Sequence, residues 1–188
     1  MFSCHITDSL ELRLLERHHA TEMFLLVEVN REHLKPWFPW VEETLTEEDT
    51  KTFIVRSLQE FAEGSAMVCG IWDDGDLCGA IDFHNVNWKR RTAEIGYWLD
   101  RHHQGRGLVT DCCRAIINYG FGTLNLNRIV ILAAVHNARS RTIPERLGFT
   151  LEGILREAIP TGSQLEDHAI YSLLLREWKV NSPEDEGV

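Results

Sequence analysis

Gln104-Gly105-Arg106-Gly107-Leu108-Val109-Thr110 is the stretch whose reading decides the fold. It follows a strand-like run ending at Leu99 and opens a helix-like run that reaches about Gly122. Glycines at such a junction let consecutive backbone N–H groups turn toward one point, where the helix dipole adds partial positive charge. Two readings stand side by side: a glycine turn that only starts a helix, or a cradle for a phosphate or pyrophosphate. The flanking sequence has to separate them.

Working backwards, Thr92–Leu99 reads as a strand, the third of a meander. The two before it, Ala66–Trp72 and Leu77–His84, flank Asp73-Asp74-Gly75-Asp76, where Asp-Gly is a hairpin signal. Working forwards, Leu108, Cys112, Ala115, Ile116 and Tyr119 form one apolar helix face. Arg128–Val135 is almost continuously apolar, as a buried strand is. Asn137 can cap a short helix ending at Leu147-Gly148, and strands at Phe149–Leu155 and His168–Leu175 follow, with Pro160-Thr161-Gly162 in their connection. Nearer the start, Leu10–Leu14 alternates as a strand and Glu16 to Leu34 turns helical. A helix capped by Thr46 and Asp49 runs to Gly64. Between these helices, Lys35-Pro36-Trp37-Phe38-Pro39-Trp40 reads as an aromatic loop, either core cover or the wall of a substrate cleft. The predicted order is β-α-α-β-β-β-α-β-α-β-β, an α/β (α+β) mixed sheet with helices packed on it.

A chain of 188 residues, 44% hydrophobic and 26% charged, suits one soluble domain, taken as residues 1–180, before an acidic tail at 181–188 expected to be disordered. No apolar run reaches the ~18 residues of a membrane span, and the first residues lack a signal-peptide pattern. The five cysteines show no CxxC pair, so reduced thiols and a cytoplasmic setting are expected. A net charge of −10 argues against nucleic acid as a partner. It fits a cationic acceptor, or serves solubility alone. His18-His19 and His102-His103 lack companion ligands, so no metal is expected.

At this point three segments resemble the GCN5-related N-acetyltransferase (GNAT) superfamily, and its RimJ/RimL-like ribosomal-protein branch in particular. They are Ala93-Glu94-Ile95-Gly96-Tyr97-Trp98-Leu99, then Gln104-Gly105-Arg106-Gly107, then Asn137-Ala138-Arg139-Ser140 continuing to Pro144-Glu145-Arg146-Leu147-Gly148-Phe149. The similarity runs from about Leu10 to Trp178; Val109 departs from it, standing where relatives carry a small residue. The resemblance implies a mostly antiparallel sheet splayed between its fourth and fifth strands, with acetyl-CoA in the opening. It implies pyrophosphate on the N–H groups of Gly105, Arg106, Gly107, Leu108, Val109 and Thr110, with Gln104 beginning the loop and Arg106 able to add charge. It further implies an oxyanion donor near Trp98–Leu99 and a pantetheine contact at Asn137, which as a plain N-cap would serve equally well. Possible dimerisation comes from the same source.

Acetyl transfer to an amine needs a neutral nucleophile, an oxyanion donor and a proton for the thiolate. By resemblance the proton comes from Ser140, which could equally be a plain first-turn helix residue. Pro144 lacks the N–H that the Ser140 carbonyl would accept, which predicts a bend there. Relatives place a glutamate base where this chain has Ile159, leaving Glu157 two residues earlier. Glu94 is the other carboxylate candidate, either as a base or as a structural hydrogen-bond partner across the sheet. Asp82, His84 and His168 could act through a water, and Trp37, Trp40 and His84 are placed at the substrate cleft. An α-amine is about a tenth to a fifth neutral at pH 7, a lysine only about one part in 2,500. The missing strong base therefore leans toward a protein or peptide N-terminus as acceptor. A small-molecule N-acetyltransferase and a non-catalytic acyl-CoA sensor are the alternatives.

Overall fold

The computed structural model describes residues 3–161 and 164–181. Eight strands form one sheet: β1 (Ser3–His5), β2 (Leu10–Leu14), β3 (Met67–Asp73), β4 (Asp76–Asn87), β5 (Thr92–Leu99), β6 (Arg128–Ala134), β7 (Thr150–Thr161) and β8 (Gln164–Leu174), in the order β1-β2-β3-β4-β5-β6-β8-β7. All neighbouring pairs are antiparallel except β5–β6. The helices are α1 (Ala20–Leu34), α2 (Trp40–Glu43), α3 (Glu47–Glu63), α4 (Leu108–Gly122), α5 (Ala138–Arg146) and α6 (Leu175–Asn181).

The predicted order is present, with additions at β1, α2 and α6. Pro39 stands at the N-cap of the single-turn α2, where a missing N–H costs nothing, so the proline loop contains a helical turn after all. The closing hairpin is longer than its sequence suggested: Pro160 pairs with Leu165 inside it. β7 is an edge strand, and an edge tolerates a residue without N–H. The acidic stretch at residues 182–188 and Gly162 lie outside the described residues.

Local signals account for the rest. Asp74 (φ 53) and Gly75 (φ 89) make a two-residue turn with both central residues left-handed, as the Asp-Gly pair demands. Thr46 and Asp49 form the capping box of α3, and Gly64 (φ 71) ends that helix. One face of the sheet buries Val68, Trp72, Leu77 and Ala80 against Met23 of α1 and Ile54 of α3. The other buries Ile81, Phe83, Ile95, Ile129 and Ile131 against Cys112, Cys113, Ile116 and Ile117 of α4.

The feature that positions the site is a gap. β5 pairs with β6 only from Thr92–Glu94 to Arg128–Val130. Beyond that point β5 stays on β4 as far as Leu99 and β6 stays on β8 as far as Ala134, so the two strands part. Each then presents an unpaired row of backbone donors and acceptors to the opening.

Candidate active site

The opening holds a groove of about 1000 Å³ on the α4 side. Its walls come from the end of α1 and the following turn (His33, Leu34, Trp37, Phe38), from Tyr97–Leu99 of β5, from the glycine loop and from the start of α5. Gly105 (φ 80) and Gly107 (φ 85) are left-handed, which turns the chain sharply into α4. The first-turn N–H groups of Leu108, Val109 and Thr110 have no intrahelical acceptor by construction, and all three residues line the groove. Asp100 sends its N–H to the Cys78 carbonyl on β4. Strand alternation therefore turns the N–H groups of Tyr97 and Leu99 into the opening.

The charge is one-sided. Three arginines (Arg101, Arg139, Arg146) line the groove, and among the described lining residues there is no carboxylate, although the chain carries −10. Arg106 is not one of them. Its guanidinium turns away to Asp73 (2.5 Å), a buried carboxylate that also accepts from the Ser9 hydroxyl at 3.2 Å. Its expected charge contact with phosphate is thus replaced by a tether that fixes the loop to the sheet. Gln104 likewise works through its side chain: it accepts from Arg139 (2.6 Å) and donates to His33 Nε2 (2.7 Å), joining the loop to α5 and α1. Burial and the nearby Arg139 charge hold His33 below the usual histidine range, in keeping with that acceptor role.

Asn137 caps α5, its side chain accepting from the Ser140 N–H at 3.1 Å, and both residues line the groove. The Tyr97 hydroxyl donates to the Ser140 carbonyl at 3.0 Å and lies 3.2 Å from Ser140 Oγ. Tyr97 thereby supplies the donor that Pro144 removes. Its single proton being committed, its oxygen is left to accept from Ser140. Burial pushes the Tyr97 phenol well above its usual range, so it stays neutral.

Adjoining the groove, between β5 and β6, a second cavity of about 100 Å³ is lined by Trp37, Phe38, Ile95, Gly96, Tyr97, Leu132, Ala133, Ala134, Asn137, Ser140 and His168. Trp37 reaches it; Trp40 lies behind, its ring 5.7 Å from Phe38 and 6.1 Å from Trp98. Glu94, Glu157 and His84 line neither cavity. Glu94 sits 3.4 Å from His84 Nε2, and Asp82 lies 2.5 Å from His84 Nδ1. Burial opposes charge on His84, but these two carboxylates outweigh it and raise its pKa to about 10. The His84 hydrogen bond keeps Glu94 below the usual carboxylate range. Glu157 is exposed in a bulge, left-handed at φ 47, with its N–H on Asp167. The structure thus brings Ser140, Asn137, Leu99 and the loop together, and leaves the two glutamates apart from them. Arg101 and His33 join the site from outside the quoted motifs, and Arg139, Arg146 and Tyr97 join it from positions within them to which no role was given.

A basic groove with a glycine-led helix start, set in a splayed sheet, suits an elongated, phosphate-bearing ligand. Among the described residues no group of three or more His, Cys, Asp or Glu side chains is placed to hold a metal. Residues 9–150 match the model of the acetyltransferase (GNAT) domain, and the chain belongs to that family. It is 37% identical over 180 residues to the Bacillus subtilis protein named "Putative ribosomal N-acetyltransferase YdaF", covering 95% of this chain and 98% of the relative. It is 31% identical over 170 residues to the ribosomal-protein-serine acetyltransferase of Escherichia coli, covering 90% and 95%. The solved structure of RimL, a ribosomal L7/L12 α-N-protein acetyltransferase in complex with coenzyme A, superposes with a TM-score of 0.89 at 25% identity, covering 92% of this chain and 98% of that one. The protein is an acetyl-CoA-dependent N-acetyltransferase.

The residues present fit acetyl-CoA. Loop N–H groups and three arginines suit its phosphates, and Leu99 lines the same groove. No cysteine lines the groove. Burial raises the thiols of Cys69 and Cys78 to about 12 and pushes those of Cys112 and Cys113 up as well, so none of these four offers a thiolate for an acetyl-enzyme.

Proposed function

We propose that the acceptor is the N-terminal α-amine of a protein, of the ribosomal-protein type, and that acetyl passes to it directly in a ternary complex. The observation that carries this reading is the acceptor-side cavity: small, walled by aromatic and aliphatic side chains, and without a carboxylate among its described lining residues. A polyamine or amino sugar has several ammonium groups to satisfy, and among its described lining residues this cavity offers no carboxylate to pair them. An α-amine arrives as a single charge and deprotonates most readily of the protein amines. The relatives named ribosomal-protein-serine acetyltransferase and ribosomal protein uS5-alanine N-acetyltransferase support the same acceptor class. Such an acceptor would be met in the cytoplasm.

In this reading the Leu99 N–H steadies the developing oxyanion and Asn137 orients the pantetheine arm. Ser140 passes a proton to the departing sulfur, its hydroxyl held by Tyr97. The amine nitrogen forms its bond to the thioester carbon as the C–S bond breaks, and the proton the nitrogen loses restores the Ser140 hydroxyl. The test is thiol release from acetyl-CoA with peptides beginning in serine, alanine or glycine, the same peptides with blocked N-termini but a free lysine, and a set of polyamines and aminoglycosides. Turnover confined to free N-termini is expected; turnover confined to the small polycations would sink the reading.

A further inference from the structure

The transferase reading leaves open which group takes the proton from the incoming ammonium. Of the described residues, His168 is 7% exposed at the end of β8, and it lines the acceptor-side cavity beside Trp37, Gly96 and Ser140. Its Nδ1 lies 3.2 Å from the Glu166 carbonyl. A carbonyl can only accept, so in the neutral ring Nδ1 carries the proton and Nε2 keeps the basic lone pair. His168 pairs with Ala134 across the ladder, and Tyr171 lies on the opposite face of β8, hydrogen-bonded to Arg141 and Glu145 of α5. The imidazole therefore enters the cavity from the face of β8 opposite Tyr171, while Ser140 and Tyr97 border both this cavity and the larger groove. A histidine buried this deeply in the wall of a cavity calls for a use.

We propose that His168 is the general base of the transfer, acting on the acceptor directly or through one water. The ammonium N–H bond breaks and its proton goes to Nε2, then to solvent. The freed lone pair forms the C–N bond as the C–S bond breaks. A second proton from the nitrogen reaches the thiolate by way of Ser140. Ammonium and thioester become amide, thiol and one released proton.

Few charges bear on this imidazole. Its ladder neighbours Ala134 and Leu155 are uncharged, as are Trp37 and Phe38 over the cavity. Tyr97 is the other titratable group among the lining residues and stays neutral. On β8, Glu166 shares its face, while the Asp167 carboxylate is held by the Glu157 N–H. From α5, Arg141 turns to Tyr171 and the Val135 carbonyl.

The inference rests on the transferase reading, and the test separates the two. His168→Gln and His168→Ala enzymes are compared with wild type on a serine-terminated peptide, with CoA affinity measured by calorimetry as a check of the fold. Expected are a fall of about 100-fold in kcat/KM in both, CoA binding within about twofold of wild type, loss of the acid limb of the pH profile in the Gln variant, and partial rescue of the Ala variant by free imidazole. Full activity in the Gln variant overturns the role, as does a loss that leaves the acid limb intact and that imidazole does not relieve. A wild type that binds CoA yet acetylates no amine overturns the transferase reading itself.

Discussion

One turn into α5, the Ser140 carbonyl faces a proline where an N–H should be, and the Tyr97 hydroxyl fills the gap from 43 residues away. The same contact sets the Ser140 side chain. Tyr97→Phe should therefore do two things at once. It leaves a part-buried carbonyl without its donor, a loss of about 1–3 kcal/mol, and it frees the serine rotamer. The melting temperature should drop by about 2–10 °C, and kcat should fall with little change in KM for acetyl-CoA. Ser140→Ala should cut kcat by about 100-fold or more at unchanged melting temperature. If Ser140→Ala turned over normally, the proton would have to come from elsewhere. Asn137, Ser140 and Pro144 were legible in the sequence because their meaning lies in spacing along one helix. The Tyr97 contact was not, because it forms only when a strand is laid beside a helix far away in the chain, and His168 was named only as one of three residues that could act through a water. Glu94 shows the converse: an acidic residue in an apolar strand did have a reason, and His84 across the ladder is that reason.

At the scale of elements, the glycine loop is held from behind. Asp73 at the end of β3 grips Arg106 between two left-handed glycines, so the least constrained backbone in the site is fixed by a buried carboxylate. Asp73→Asn and Arg106→Ala should raise KM for acetyl-CoA by about tenfold, the share of a charged hydrogen bond worth ~1.5 kcal/mol, with kcat nearly unchanged. A drop in kcat with constant KM would show that the tether serves the chemistry instead of the cradle. This partnership could not be read from the loop, whose arginine looked like a phosphate ligand. The Asp-Gly hairpin and the capping box of α3 could be read, because turn and cap chemistry act over a few residues. The reach of β7 could not, because whether Pro160 ends a strand depends on whether that strand has a neighbour on both sides.

Across the whole molecule, stability should follow pH through the Asp82–His84–Glu94 array that ties β4 to β5. His84 is raised in the folded state to about 10, so its contribution is complete below the unfolded value of about 6.5 and is lost as pH rises through about 10. Glu94 is lowered, so its contribution is present above about 4.5 and is lost as pH falls through its folded value. Glu152, lowered to about 2 by Arg128 and then Ser172, adds to the acid side. The urea midpoint should be highest near neutrality and fall on both sides. His84→Gln should flatten the alkaline limb, and an unchanged limb would show that the array does not couple to folding. The arginines of the groove have a different reach. A body carrying −10 repels a polyanionic cosubstrate at a distance, and the attraction of Arg101, Arg139 and Arg146 is felt only near the mouth. At low ionic strength the Debye length exceeds the width of the groove, about 30 Å at 0.01 M against about 8 Å at 0.15 M. Capture of CoA should then be slowed by the shell and quickened by moderate salt, the reverse of ordinary electrostatic steering, while encounter with a cationic acceptor slows as salt rises. The two substrates of one cleft would be drawn in under opposite ionic rules.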